Sequence, residues 1–126
     1  MTNEKLKKLN GVVLPGGDGD YYEFGRTILE QVINFNDLGL FYPVFGVCMG
    51  FENMMGYAAD SGWQIIGSYI LHNVSLPLEF VVEPSASKLW TALGDDYIKF
   101  EQNSMTFNSH DHGLDPESFT NDKGLA

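Results

Sequence analysis

Arginine is almost absent from this chain. Arg26 stands alone, and seven basic residues face 17 acidic ones, giving a net charge of -10 over 126 residues. Binding to nucleic acid needs clustered cations, so that class of function is excluded. Cysteine is also scarce. Cys48 is the only one, which rules out an internal disulfide and leaves cysteine usage silent on redox compartment. No apolar run approaches the ~20 residues of a membrane span. The opening Met1-Thr2-Asn3-Glu4-Lys5 is polar and lacks the apolar centre of a signal peptide. Internal repeats and low-complexity tracts are missing too. The hydrophobic fraction, 44%, is that of a globular domain, and the length allows one domain at most.

What is present is organised around the lone cysteine. Tyr42-Pro43-Val44-Phe45 is an apolar run, Gly46-Val47-Cys48-Met49-Gly50 follows it, and Phe51-Glu52-Asn53-Met54-Met55 is helix-compatible. The reading is strand, tight turn, helix, with Cys48 at the apex. A Gly-x-nucleophile-x-Gly turn holds its central residue in a strained conformation, so its neighbours must be small. The helix start favours thiolate over thiol through its dipole and free N–H groups. The N–H of Met49 is then placed to help hold an oxyanion. The pattern points to a cysteine nucleophile for acyl transfer, against the common alternative of an inert, buried cysteine.

Elsewhere the first half reads βαβα, the grammar of a parallel sheet covered by helices. Gly11 to Leu14 and Tyr42 to Val47 are expected to be neighbouring parallel strands, apolar without alternation. Tyr22 to Phe35 has Phe24, Ile28, Val32 and Phe35 at helical spacing, widened by Leu29 and Ile33, and Asn36-Asp37-Leu38-Gly39 ends it. Met49 to Ala58 is the next helix. Pro15-Gly16-Gly17 leaves the first strand as a glycine-rich loop. Sites in such sheets form at strand carboxyl ends, where both this loop and Cys48 lie. Lys5 to Leu9 reads as a helix tail or linker. The second half is less regular. Ile65 to Leu71 and Leu78 to Val82 are expected strands, Ser87 caps a short helix through Leu93, and Met105 to Phe107 is strand-like. His110 and His112 then fall in a loop, and the segment from Asp115 onward has no evident closing element.

These residues carry a family resemblance. Leu14-Pro15-Gly16-Gly17, Phe45-Gly46-Val47-Cys48-Met49-Gly50-Phe51-Glu52, Leu76-Pro77-Leu78, Phe107 to Leu114 and Glu117-Ser118-Phe119-Thr120 resemble, in order, the γ-glutamyl hydrolases. Those enzymes belong to the class I glutamine-amidotransferase-like superfamily. The implied fold is α/β, a partial flavodoxin-like parallel sheet with flanking helices, lacking a first strand and C-terminal elements. The implied organisation is a single truncated domain over residues 1–126. Glutamine amidotransferases usually carry His-Gln where this chain has Phe51-Glu52, which favours the hydrolase branch.

The resemblance implies roles. Cys48 is the nucleophile, Gly17 is the second oxyanion donor beside Met49, Glu52 is the acid after the elbow, and His110 lies near the substrate. Plainer readings exist: a first-turn acid favoured by the helix dipole for Glu52, and a surface histidine for His110. His110 with His112 is too little for a zinc site, the Asp18/Asp20 pair lacks EF-hand spacing, and His72 has no partner in sequence. No metal or cofactor is implied. The implied partners are a small-molecule γ-glutamyl substrate, such as a folylpolyglutamate, and at most a second copy of the chain; nucleic acid and membrane are not. The family's compartment is lysosomal, vacuolar or secreted, where the Asn73-Val74-Ser75 sequon would matter. The family's late His-Pro-Glu motif, with its general base, is absent from these residues. The chain therefore reads as an internal piece with impaired hydrolysis. The alternatives are a glutamine amidotransferase domain, or a dead fragment or binding relic.

Overall fold

The computed structural model describes residues 3–19 and 21–125. Asp20, half of the Asp18/Asp20 pair, lies outside them. The fold is α/β, with a small parallel two-stranded sheet and flanking helices. The described elements run α1 (Asn3–Leu6), β1 (Val12–Leu14), α2 (Tyr22–Asp37), β2 (Val44–Gly46), α3 (Met49–Ala58), β3 (Ile66–Leu76), α4 (Lys88–Thr91), α5 (Ile98–Gln102), β4 (Thr106–Leu114) and α6 (Ser118–Asn121). The chain divides into two compact units. One holds Met1–Ser68 and His112–Ala126, the other Tyr69–Asp111.

In the first unit β1 and β2 pair in parallel, Val12 with Val44, Val13 with Phe45 and Leu14 with Gly46. The helix between them makes this a βαβ crossover, as the two apolar runs require. Ile28, Val32 and Phe35 of α2 bury against Leu6, Tyr42, Val12 and Val44. Phe24 and Ile33, expected in the stripe, are about half exposed, whereas Gly25 is buried in it. The other sheet face stays bare, with Val13 65% and Phe45 52% exposed.

The helix α2 outruns its expected end by two residues. Asn36 does not break it. Its Nδ2 donates to the carbonyls of Val32 and Tyr42 (2.9 Å each), and its Oδ1 accepts from Tyr42 N–H at 3.1 Å. Gly39, at φ 82°, then terminates the helix, with Leu40 N–H bonding to Phe35 and Gly39 N–H to Asn36. That pair of bonds is the Schellman arrangement, which satisfies the last carbonyls.

The sheet formed by β3 and β4 departs more from expectation. β3 runs to Leu76, and β4 continues through His110 and His112, which therefore lie on a strand and not in a loop. Leu78 to Val82 is not a strand. Its Leu78 N–H donates to the Phe100 carbonyl at 2.7 Å. Phe80 instead anchors the second unit, its ring edge-on to Trp90 and Tyr97. α5 brings Phe100 against Trp90.

The polar C-terminal segment is also structured. After α6, Asp122 accepts from Asp60 N–H (2.9 Å), Ser61 N–H (3.1 Å), Ser61 hydroxyl (2.6 Å) and Gly124 N–H (2.9 Å). A side chain on Gly124 would strike the Ala58 carbonyl and the backbone at Asp60. The Ser61 hydroxyl, followed by the surrounding N–H groups, holds the Asp122 carboxyl down at about 2. A depressed carboxyl pKa adds stability that is fully present above the unfolded value near 4 and is lost as pH falls through about 2. Asp122→Asn should therefore lower the urea midpoint most at pH 7, and the gap from wild type should close towards pH 2. A gap constant across that range would refute the clamp.

Candidate active site

The site is built where β2 meets α3. Cys48 is the residue before the helix, with φ 51° and ψ -118°. A positive φ in a non-glycine residue is uncommon and costs on the order of 1–3 kcal/mol. The turn is held from both sides. Val47 N–H bonds to the Leu14 carbonyl at 3.0 Å, tying the elbow to the end of β1. Gly50 N–H reaches the Val47 carbonyl at 2.9 Å, and Glu52 N–H the Cys48 carbonyl at 3.0 Å. Cys48 itself is exposed.

Both elbow glycines answer to sterics. A Cβ on Gly46 would sit 2.6 Å from Met54 Sδ and 2.8 Å from the Gly50 carbonyl oxygen. On Gly50 it would run into the Leu14 carbonyl group. The third close approach is across the site. A Cβ on Gly16 would lie 2.8 Å from Cys48 Cβ and 3.6 Å from its Sγ. The Pro15-Gly16-Gly17 loop thus lies against the cysteine. Gly17 follows at φ 136°, with open space where a Cβ would sit.

The sequence-expected residues divide between the two units. Cys48, Met49, Glu52 and the glycine loop belong to the first. Met49 is the first residue of α3, whose opening N–H groups have no acceptor within the helix. Glu52 is half-buried one turn further on, on the Cys48 side of the helix. His110 belongs to the second unit; its Nδ1 is buried without a hydrogen-bond partner. His72 does have a partner, since its Nε2 lies 2.9 Å from Asp111 Oδ1. Strand pairing brings those two together, which no spacing rule could have shown. Among the described residues no group of three or more metal-ligating side chains occurs. None of their helices is long and apolar enough to cross a membrane.

Two further residues escape a reading of the sequence. Asn53 faces inward from α3 at 2% exposure, its Oδ1 unpartnered. Tyr21 donates its hydroxyl to the Pro15 carbonyl at 2.5 Å, at the root of the glycine loop.

No family model matches the chain. Over 127 residues it is 30% identical to gamma-glutamyl hydrolase B of Dictyostelium discoideum, covering 95% of this chain and 36% of that protein. It is 26% identical over 128 residues to gamma-glutamyl hydrolase 2 of Arabidopsis thaliana, covering 98% and 37%. This chain is a relative of the gamma-glutamyl hydrolases. A mouse protein of that name is 27% identical over 128 residues, covering 97% of the chain and 40% of its own length. The chain thus spans 36–40% of the length of these curated relatives.

The elbow geometry makes a stability prediction. Gly50→Ala meets backbone, which cannot rotate aside as a side chain can. Its cost should reach the upper end of the ~1–3 kcal/mol typical of overpacking. Urea unfolding measures it, and a loss below about 1 kcal/mol would contradict the close approach.

Proposed function

We propose that these residues carry the nucleophile and oxyanion half of a γ-glutamyl hydrolase site. The observation that carries the reading is Cys48, exposed and at φ 51° immediately before α3, with the Gly16 loop packed against it. The relatives' names supply the substrate class.

In the proposed reaction the Cys48 thiolate attacks the γ-carbonyl carbon of a γ-glutamyl amide. The carbonyl oxygen becomes an oxyanion, held by the N–H groups of Gly17 and Met49. Collapse breaks the C–N bond, the amine leaves with a proton, and a γ-glutamyl thioester remains on Sγ. Water then hydrolyses the thioester, returning the thiol and freeing the glutamate γ-carboxylate. The family resemblance assigns Glu52 and His110 to the substrate. No metal or cofactor takes part in this scheme. The lone arginine is held by Glu30 at 3.1 Å. With one arginine, these 126 residues hold no arginine cluster for a polyanionic tail.

The general base is the weak point of these 126 residues. A positioned base contributes on the order of 10²–10⁴ in rate. His110 is the candidate to replace the histidine of the family's late motif. The test is L-glutamate γ-p-nitroanilide with the purified chain and a Cys48→Ala control. We expect a γ-glutamyl adduct on Cys48 by mass spectrometry, absent from the control. Turnover should fall well below the ordinary range of roughly 1–10³ per second. An adduct that survives Cys48→Ala would overturn the assignment. Ordinary turnover lost in His110→Ala would identify His110 as a competent base.

A further inference from the structure

We propose that Tyr21 is a positioning residue for the oxyanion site, acting through the glycine loop. The proposal rests on the acyl-transfer reading given above, and it names a residue that reading does not use. Tyr21 is the residue before α2, and Gly25 N–H bonds to its carbonyl at 2.7 Å. Its ring lies along the buried Gly25, with Cδ2 and Cε2 at ordinary contact distance from where a Cβ would sit. The ring is thereby braced on the helix. Its hydroxyl reaches six residues back to the Pro15 carbonyl at 2.5 Å. That bond fixes the plane of the Pro15–Gly16 peptide, because a peptide is rigid and its carbonyl and N–H point in opposite directions.

The next peptide carries the Gly17 N–H. Glycines at 16 and 17 give this stretch little intrinsic stiffness, and at Gly17, φ 136°, no atom outside its chain neighbours lies within 4 Å of where a Cβ would sit. Gly16 packs against Cys48, and the Tyr21 hydroxyl supplies a further restraint at Pro15. Without it, the Pro15–Gly16 peptide could rotate and carry the following N–H out of line. Donors speed acyl transfer only when already aimed at the developing charge.

The test compares Tyr21→Phe with wild type in two reactions at the same sulfur. Acylation by L-glutamate γ-p-nitroanilide passes through an oxyanion, whereas alkylation by iodoacetamide is a substitution that forms none. Amide ¹⁵N relaxation of Gly16 and Gly17 reports the loop directly. We expect single-turnover acylation to fall about tenfold, short of the roughly 10²–10³ lost when a donor is removed outright. Alkylation should stay within about twofold while Gly16 and Gly17 loosen, a split unlike a general loss of fold. Equal losses in both reactions would show that Tyr21 only supports the fold, and would overturn the proposal. Unchanged acylation, or unchanged order at Gly16 and Gly17, would overturn it as well. A wild-type chain that is alkylated but never acylated would sink the acyl-transfer reading. The loop relaxation would then still decide whether Tyr21 pins the loop.

Discussion

The first turn of α3 starts directly against the end of β1, and that contact is available only because residue 50 has no side chain. Gly50 faces the Leu14 carbonyl group, whose oxygen accepts the N–H of Val47. Helix, strand and elbow are therefore fixed by one close approach. Move α3 outward by the radius of a methyl group and Val47 loses its bond. Cys48 then loses the restraint that keeps it at positive φ, and Gly16 loses the surface it packs on. Strained conformations of this kind persist only where the surroundings over-determine them. Here the surroundings are three backbone hydrogen bonds and three glycines, a framework made almost wholly of main chain.

That framework was the legible part of the sequence. Glycine at both flanks of Cys48 can be read because it reports a steric need of the residues beside it. The run Met49 to Ala58 coincides with α3 residue for residue, and the parallel pairing of β1 and β2 follows from two apolar runs joined by an amphipathic helix. The second unit was legible in much smaller part. Leu78 to Val82 has strand-like composition, but prolines at 77 and 84 and a demand for aromatic packing around Phe80 outweigh propensity. β4 looked like a loop because Asn108, Ser109, Asp111 and Gly113 are turn formers, and its partner β3 supplies the ladder that overrides them. The His72–Asp111 pair spans 39 positions, and only strand register determines it.

The candidate site follows the same division. Residues whose roles depend on local backbone, Cys48 and Met49, can be found in a linear sequence. Residues that act from elsewhere cannot. Tyr21 differs little in composition or spacing from Tyr22 beside it, whose ring packs edge-on against Trp63. What separates them is which way each points from the start of α2. Asn53 is hidden for the same reason, since a polar residue in a helix pattern reads as exposed until packing turns it inward.

The Asp122 carboxylate has a consequence in time. It bonds to Asp60 and Ser61 across 62 and 61 positions, so the first unit is assembled from two stretches of chain with another unit between them. At about 5–20 residues per second, a ribosome needs roughly 3–12 s to travel from one partner to the other. During that interval the turn after α3 has exposed N–H groups at Asp60 and Ser61 and no carboxylate to receive them. The nascent elbow precedes the clamp that secures the far end of its own helix. Synthesis order thus leaves the far end of α3 unclamped until Asp122 is made, and Cys48 stands at the other end of that same helix.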